Sequence, residues 1–248
     1  MRHDPFLTTV NEHAGAGGPA LALRDLVPIH PLRFLALAAS AIAFVVAMAL
    51  VVMVTIDPNR DRFLLTTVFW TFWVDAEHNV PTFLSFLLIG FSALLLGIRT
   101  RVAFLEGDRL RHHWLLLAVL FVAMAFDEAA QIHETVIGPL RHVLATDGVF
   151  FFAWVIPALV MLSVLGLVYL PFLIALPTST AFALVGCGAV YVGGAVGAEM
   201  VGGVFATHGA FSDLGYRLTT VVEETCEMLG IALFATTLLA VLRGPLRS

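Results

Sequence analysis

The chain has 248 residues, of which 60% are hydrophobic and only 12% are charged, and its mean hydropathy is +0.96. Soluble domains carry about 25% charged residues, so this composition excludes an ordinary soluble protein and indicates an integral membrane protein. The formal charge of −5 gives no basis for nucleic-acid binding, and the absence of lysine excludes a retinal Schiff base on this chain.

Several apolar runs are long enough to cross a bilayer, which takes about 20 residues. They predict an all-α bundle of six transmembrane helices: Leu32–Ile56, Val80–Ile98, His113–Ile137, Val149–Leu176, Ser179–Phe205 and Tyr216–Leu242. Residues 31–243 would form this single transmembrane domain, between a flexible tail at 1–30 and a short tail at 244–248. The aromatic-rich segment Arg62–Val74 predicts an amphipathic helix at the interface between the first two spans.

The arginines indicate which side each end of the chain occupies, because cytoplasmic loops carry an excess of basic residues. With the N-terminus inside, the cytoplasmic side holds Arg2, Arg24, Arg33, Arg99, Arg101, Arg109, Arg111, Arg243 and Arg247, and the outer side holds Arg60, Arg62, Arg141 and Arg217. This imbalance predicts that both termini are cytoplasmic.

On this topology the acidic residues of the membrane domain gather at one depth, near the outer surface. The third span ends with Asp127, Glu128, His133 and Glu134, the fifth carries Glu199 near its exit, and the sixth begins with Glu223, Glu224 and Glu227. Asp75 and His78 precede the second span at the same side. At 100° per residue, Asp127, Gln131 and Glu134 would share one helix face. His133 would join them only if the helix end bends.

An ionised carboxylate in the bilayer costs several kcal/mol and usually pairs or serves a function. The spans contain no lysine or arginine near these acids, so protons, water or a bound metal must relieve the repulsion. We interpret the cluster as a metal site formed by Asp75, His78, Asp127, Glu128, His133, Glu134, Glu199, Glu223, Glu224 and Glu227. Mixed carboxylate and imidazole ligands favour iron, manganese or zinc, whereas acids alone suit calcium or magnesium.

Other features of the spans exclude some functions and leave others open. A haem held by two histidines is not expected, because no histidine lies in the middle of a span. Cys187 and Cys226 are isolated and are expected to be buried thiols. The small residues Gly194, Ala198 and Gly202 allow close helix approach, which we assign to packing inside the bundle, with a dimer interface as the alternative.

The ordered motifs resemble an uncharacterised family of bacterial polytopic membrane proteins. The resemblance covers roughly residues 60–240, and it implies a location in the bacterial inner membrane without implying a reaction. It rests on Asp75-x-Glu77-x-Asn79-x-Pro81-Thr82, Asp127-Glu128-Ala-Ala with His133-Glu134, Tyr191-Val-Gly-Gly with Glu199, and Glu223-Glu224 before Glu227-Met-Leu-Gly.

Three functions remain open at the level of sequence. The first is a metal-dependent enzyme that acts on a lipid or another apolar substrate. The second is an accessory subunit with other membrane subunits as partners. The third is proton or cation transport, which ranks last because the cytoplasmic halves of the spans contain no carboxylate. All three place the protein in contact with membrane lipids.

Overall fold

The computed structural model describes residues 27–57, 63–76 and 78–243. All regular structure in those residues is helical, and six helices are long and apolar enough to cross a membrane. The predicted six-helix membrane bundle is therefore confirmed. Most of the predicted N-terminal tail and all of the C-terminal tail lie outside the described residues, as do Arg60, Arg62 and Glu77.

The helices follow the predicted order along the chain, with differences at several ends. The spans are α1 (Pro31–Thr55), α3 (Val80–Leu105), α4 (Arg111–Ala130), α6 (Val155–Ala175), a fifth span composed of α7 (Thr178–Val192), a π-helical segment (Gly193–Ala198) and α8 (Glu199–Thr207), and α9 (Leu214–Arg243). Between the spans lie α2 (Phe63–Phe72), α5 (Ile132–Leu144) and a 3₁₀ turn (Gly148–Phe150). Helix α2 occupies the place of the predicted interfacial helix.

Helix α9 is the centre of the bundle. It packs against α1, α3, α7 and the π-helical segment. In its C-terminal half, Leu238, Leu239 and Leu242 are fully buried, as apolar residues of a helix surrounded by others should be. The first, second and fifth spans are therefore arranged around the sixth, and α9 carries three glutamates to the cavity.

Two glycines let the fifth span approach α9 closely. A Cβ atom added at Gly194 would lie 2.6 Å from the backbone oxygen of Glu223, and one added at Gly230 would lie 2.7 Å from the backbone nitrogen of Tyr191. Only glycine fits where backbones come this near. The small-residue ridge thus packs inside the bundle, as the sequence predicted, and it brings Glu199 towards the acids of α9.

The third span does not continue to Ile137 as predicted. It ends at Ala130, because Gln131 adopts a left-handed conformation (φ 54°, ψ 43°) and α5 begins at Ile132. The Asp127 side chain stabilises this break, since its Oδ1 accepts a hydrogen bond of 3.0 Å from the backbone N–H of His133. The expectation that Asp127, Gln131 and Glu134 share one helical face is therefore wrong, and the helix end bends.

The start of the second span agrees with the prediction, and the start of the fourth span does not. Helix α3 begins at Val80 as expected, and Asn79 is its N-cap: the side-chain oxygen accepts a 3.0 Å hydrogen bond from the backbone N–H of Thr82. Asn79 therefore shares no helical face with Asp75. Helix α6 begins at Val155 rather than Val149, because a 3₁₀ turn precedes it.

The loop before α6 is attached to the end of α8 by a side-chain cap. Oδ1 of Asp147 accepts hydrogen bonds from the Thr207 hydroxyl at 2.7 Å and from the backbone N–H of Gly148 at 2.8 Å. These two donors hold the pKa of Asp147 below its usual value, because they favour the ionised carboxylate. The start of the fourth span and the end of the fifth are thereby fixed at the same end of the bundle.

Candidate functional site

A cavity of about 420 Å³ lies between α4, α6, the fifth span and α9. It has one acidic end and one apolar end. Among the described residues that line it there is no arginine. Nine of the ten predicted site residues line the acidic end: Asp75, Asp127, Glu128, His133, Glu134, Glu199, Glu223, Glu224 and Glu227.

The bend after α4 creates a histidine–aspartate pair at this end. Nδ1 of His133 lies 2.8 Å from Oδ2 of Asp127, and the backbone N–H of His133 donates to the other carboxylate oxygen. The imidazole is therefore held in one orientation by two bonds to the same carboxylate. Because Nδ1 is engaged, Nε2 is the nitrogen left to face other groups, and it lies 3.9 Å from Oε1 of Glu134.

The electrostatic surroundings of His133 favour its protonated form in the absence of a metal. Burial alone would lower the pKa of the imidazole. The hydrogen bond to Asp127 and the negative charges of Asp127, Glu134 and Glu199 outweigh burial and raise the pKa of His133 to about 9. The site thus attracts positive charge strongly, whether a proton or a cation supplies it.

A second pair at the acidic end joins two different spans. The carboxyl groups of Glu199 and Glu223 are hydrogen-bonded to each other, and Glu199 is 9% exposed. An ionised carboxylate only accepts hydrogen bonds, so one member of the pair must carry the shared proton. This pair connects α8 with α9 and lies on the same cavity as the His133–Asp127 pair.

The π-helical segment determines where Glu199 lies. It covers Gly193–Ala198 and ends directly before Glu199. Each π turn contains more residues than an α turn, so it rotates the helix that follows relative to the helix before it, and such segments are frequent at functional sites. Four of its six residues are buried, namely Gly194, Ala195, Val196 and Ala198. The irregular turn is therefore packed into the bundle.

The segment before α3 contributes Asp75 and not His78. Tyr216 of α9 donates a 3.0 Å hydrogen bond from its hydroxyl to Oδ1 of Asp75, which places that carboxylate at the cavity rim. His78 is exposed and has a positive φ of 59°, and its Nδ1 lies 3.3 Å from the side-chain nitrogen of Gln131. The structure thus brings the two connecting segments together but does not place His78 in the cavity lining.

Two of the four arginines that the sequence places on this side lie within the described residues, and both contact aromatic rings. The guanidinium carbon of Arg141 is 3.5 Å from the ring centre of Phe151, and that of Arg217 is 5.5 Å from the ring of Trp73. Within the described ranges, no group of three His, Cys, Asp or Glu side chains is positioned to hold a metal ion in common.

The other end of the cavity is apolar. It is lined by leucine, methionine and aromatic side chains of α4, α6 and α7, including Leu117, Leu120, Leu165, Phe172 and Leu184. Polar and apolar walls therefore belong to one continuous space. Such a space fits an amphiphilic molecule, with its polar group among the carboxylates.

Sequence reasoning missed several residues of the site. Trp154 packs its ring against His133 at 5.2 Å between centroids, and nothing in the run of aromatic residues around it distinguishes it from its neighbours. Tyr216 could have been found, because it lies four residues before Thr220 and seven before Glu223, on one face of α9.

Comparison with known proteins gives a family and no assigned activity. No curated protein and no solved structure matches the chain. Residues 34–241 match the family described as a domain of unknown function, DUF8692, and this match covers every span found in the described residues. The chain is a member of the DUF8692 family.

Proposed function

We propose that this protein is a metal-dependent enzyme of the bacterial inner membrane that acts on a lipid or another apolar substrate. The observation that carries the proposal is the single cavity in which a carboxylate–histidine cluster adjoins an apolar arm. The substrate tail would lie in the apolar arm and its polar group would lie at the acids. With both termini cytoplasmic, the acidic end is in the outer half of the membrane.

The His133–Asp127 pair supports a metal at the acidic end. Metal-binding histidines almost always donate their second ring nitrogen to a carboxylate, which fixes the ring and makes it a better ligand. His133 has this arrangement, and its Nε2 is directed towards Glu134. Glu199 is close enough to raise the pKa of His133 by its charge. The proposal requires the side chains of Glu134 and Glu199 to rotate towards Nε2 when an ion binds.

Iron, manganese or zinc suits a ligand set of imidazole and carboxylates, and calcium suits the carboxylates alone. A bound ion would displace the proton that Glu199 and Glu223 share and would offset the repulsion among the remaining acids. It would also activate water and polarise an oxygen of the substrate headgroup. Protein groups would then position the headgroup and exclude bulk water.

Metal analysis of the purified full chain tests this function. We expect the protein to retain about one divalent ion per chain after dialysis, since the proposed ligands line one cavity. His133→Asn and Glu223→Gln should lose the ion, whereas the control Glu106→Gln, at an exposed position outside the cavity, should keep it. A monodisperse wild-type protein that retains none of iron, manganese, zinc or calcium would refute the metal site.

A second candidate function, an accessory subunit, is favoured by a groove on the opposite side of α4. It is lined by Gly90, Ala93 and Gly97 of α3 and by Val122 and Ala125 of α4. A Cβ atom added at either glycine would meet nothing within 4 Å, so the groove has room for the helix of another subunit. Gly97→Leu should release a co-purifying partner. A wild-type protein that purifies alone and is active would exclude this function.

Transport of protons or cations ranks below both. A conducting path needs polar groups along its whole length, and the cavity becomes apolar beyond the carboxylates. Cation flux into proteoliposomes that Glu223→Gln abolishes would overturn this ranking.

A further inference from the structure

Helix α6 is fixed to the bundle at its two ends and is unpacked in between. Its buried residues are Val155 and Ala158 near the start and Phe172 near the end. Most of the residues from Leu159 to Leu170 are exposed, and none is buried. A span of a compact bundle would show buried residues in every turn or two, so the middle of α6 stands away from the other helices.

Specific contacts hold each end. At the acidic end Val155 and Ala158 belong to an apolar cluster with Val196 of the π-helical segment. At the other end the ring of Phe172 packs edge-on against Trp114 at 4.9 Å, and the hydroxyl of Tyr169 donates a 3.0 Å hydrogen bond to the backbone oxygen of His113. The two ends are therefore packed against the bundle, and residues between them line the cavity.

The separation of the two ends gives the length of the apolar arm. Fourteen residues separate Ala158 from Phe172, which at 1.5 Å per residue is about 21 Å. Met161, Leu162 and Leu165 line the arm on the α6 side. An arm of this length and apolar character fits an extended hydrocarbon chain, whereas a compact apolar molecule would leave much of it empty.

Gly188 lies in the wall opposite α6, in the deeper part of the arm. Eleven residues separate it from Glu199, so it lies about 16 Å below the carboxylates. It lines the cavity, and a Cβ atom added there would meet nothing within 4 Å. The absence of a side chain at this position leaves the deep part of the arm open towards Leu184 and Phe172.

We propose that the cavity binds a long-chain acyl lipid whose tail extends from the carboxylates past Gly188 to Phe172, and that Gly188 sets the longest tail the site accepts. This inference rests on the proposed function, because it names the substrate class of the same site. The headgroup would carry hydroxyl groups, which can donate hydrogen bonds to Glu199, Glu223 and their neighbours. A larger side chain at Gly188 would close the deep part of the arm without touching the acidic end.

The test measures binding of monoacylglycerols, with tails from octanoyl to stearoyl, to the full chain in lipid nanodiscs by native mass spectrometry. In a nanodisc the tail leaves one apolar environment for another, so each CH₂ group adds little to the affinity by itself. Wild type should therefore bind the octanoyl and stearoyl compounds with comparable affinity. Gly188→Leu should bind the octanoyl compound as wild type does and lose roughly tenfold for the stearoyl compound, because the longer tail would overlap the new side chain. The control Gly186→Leu has equal room for a side chain and is exposed, as Gly188 is, but it lies outside the cavity lining, so it should match wild type.

The outcomes separate this inference from the proposed function. Equal stearoyl binding by Gly188→Leu and wild type, or equal losses in both leucine variants, would overturn the role of Gly188 and leave the lipid site standing. A wild-type protein that binds no monoacylglycerol at all would overturn the lipid site itself. If Gly188→Leu does not fold, Leu165→Trp on the opposite wall must shorten the accepted tail, and an unchanged length dependence in that variant refutes the inference.

Discussion

The approach of the fifth span to α9 can be tested by adding one methyl group. In Gly194→Ala the new Cβ atom would lie 2.6 Å from the backbone oxygen of Glu223 and 2.8 Å from Cβ of Cys226. Neither atom belongs to the flexible end of a side chain, so one helix must move. Overpacking of this kind costs about 1–3 kcal/mol. Because the displaced backbone carries Glu223, the variant should also weaken metal binding.

Gly197→Ala is the matched control, since Gly197 lies in the same π-helical segment and its added Cβ atom would meet nothing within 4 Å. Replacing a helical glycine by alanine at an unhindered position stabilises by about 0.5–1 kcal/mol. Gly194→Ala gains the same helix preference, so the two variants should differ by the overpacking cost, about 1–3 kcal/mol in free energy of unfolding. Unfolding by sodium dodecyl sulfate in mixed micelles, followed by circular dichroism, measures that difference.

Equal stability of the two alanine variants would refute the close approach of these helices. It would also remove the structural reason for placing Glu199 beside Glu223, because Gly194 precedes Glu199 by five residues on the segment that makes the approach. If Gly194→Ala is destabilised but keeps its metal content, the close packing of the helices stands. Metal binding then does not depend on that packing.

Three further predictions concern groups outside that contact. Arg99 and Asp108 form a 2.7 Å ion pair that is mostly buried, so Asp108→Asn should lower the free energy of unfolding by about 1–3 kcal/mol and leave metal and lipid binding unchanged. In metal-free protein the pKa of His133 is raised to about 9 from 6.5. The protonated imidazole therefore contributes its full stabilisation below about pH 6.5, and this stabilisation is lost as the pH rises through 9. The thermal unfolding temperatures of wild type and His133→Gln should converge above that pH. The pKa of Asp147 is lowered, so its stabilisation is present above about pH 4 and is lost as the pH falls below that value. Thr207→Val should therefore reduce thermal stability at neutral pH, and a difference that persists unchanged in acid would contradict this cap.

The number of spans and their order could be predicted from sequence because both depend on length and hydropathy. Crossing a bilayer requires a long apolar run whatever the tertiary contacts are. The gathering of acids at one end followed from the same argument, since alternating spans place Glu199 and Glu223 at equal depth. These conclusions needed no knowledge of how the helices pack.

The local shape of the site could not be predicted, because it depends on two departures from regular helix. Gln131 takes a left-handed conformation, which is uncommon for any residue other than glycine, and the contact of Asp127 with His133 accompanies it. The π-helical segment likewise follows from close packing of Gly194 on α9. The periodicity of apolar residues indicates neither feature. It does not indicate the cavity behind α6 either, because that helix is hydrophobic on every face.

The arrangement of acids is explained by function rather than by stability. Pairs such as Glu199 and Glu223 bring two acidic groups together beside an apolar cavity, where each ionised carboxylate costs several kcal/mol and where hydrophobic residues would pack at no such cost. Tight glycine contacts, a π-helical segment and a bent helix end all act to hold the acids there instead of letting them separate. Structure that maintains an electrostatically unfavourable cluster is typical of a binding or catalytic centre. The unpacked middle of α6 is also unfavourable for stability, because an extended apolar arm lowers the packing density of the bundle unless a ligand fills it. Both departures meet in one cavity, so the amphiphilic ligand and the cation that we propose would account for both.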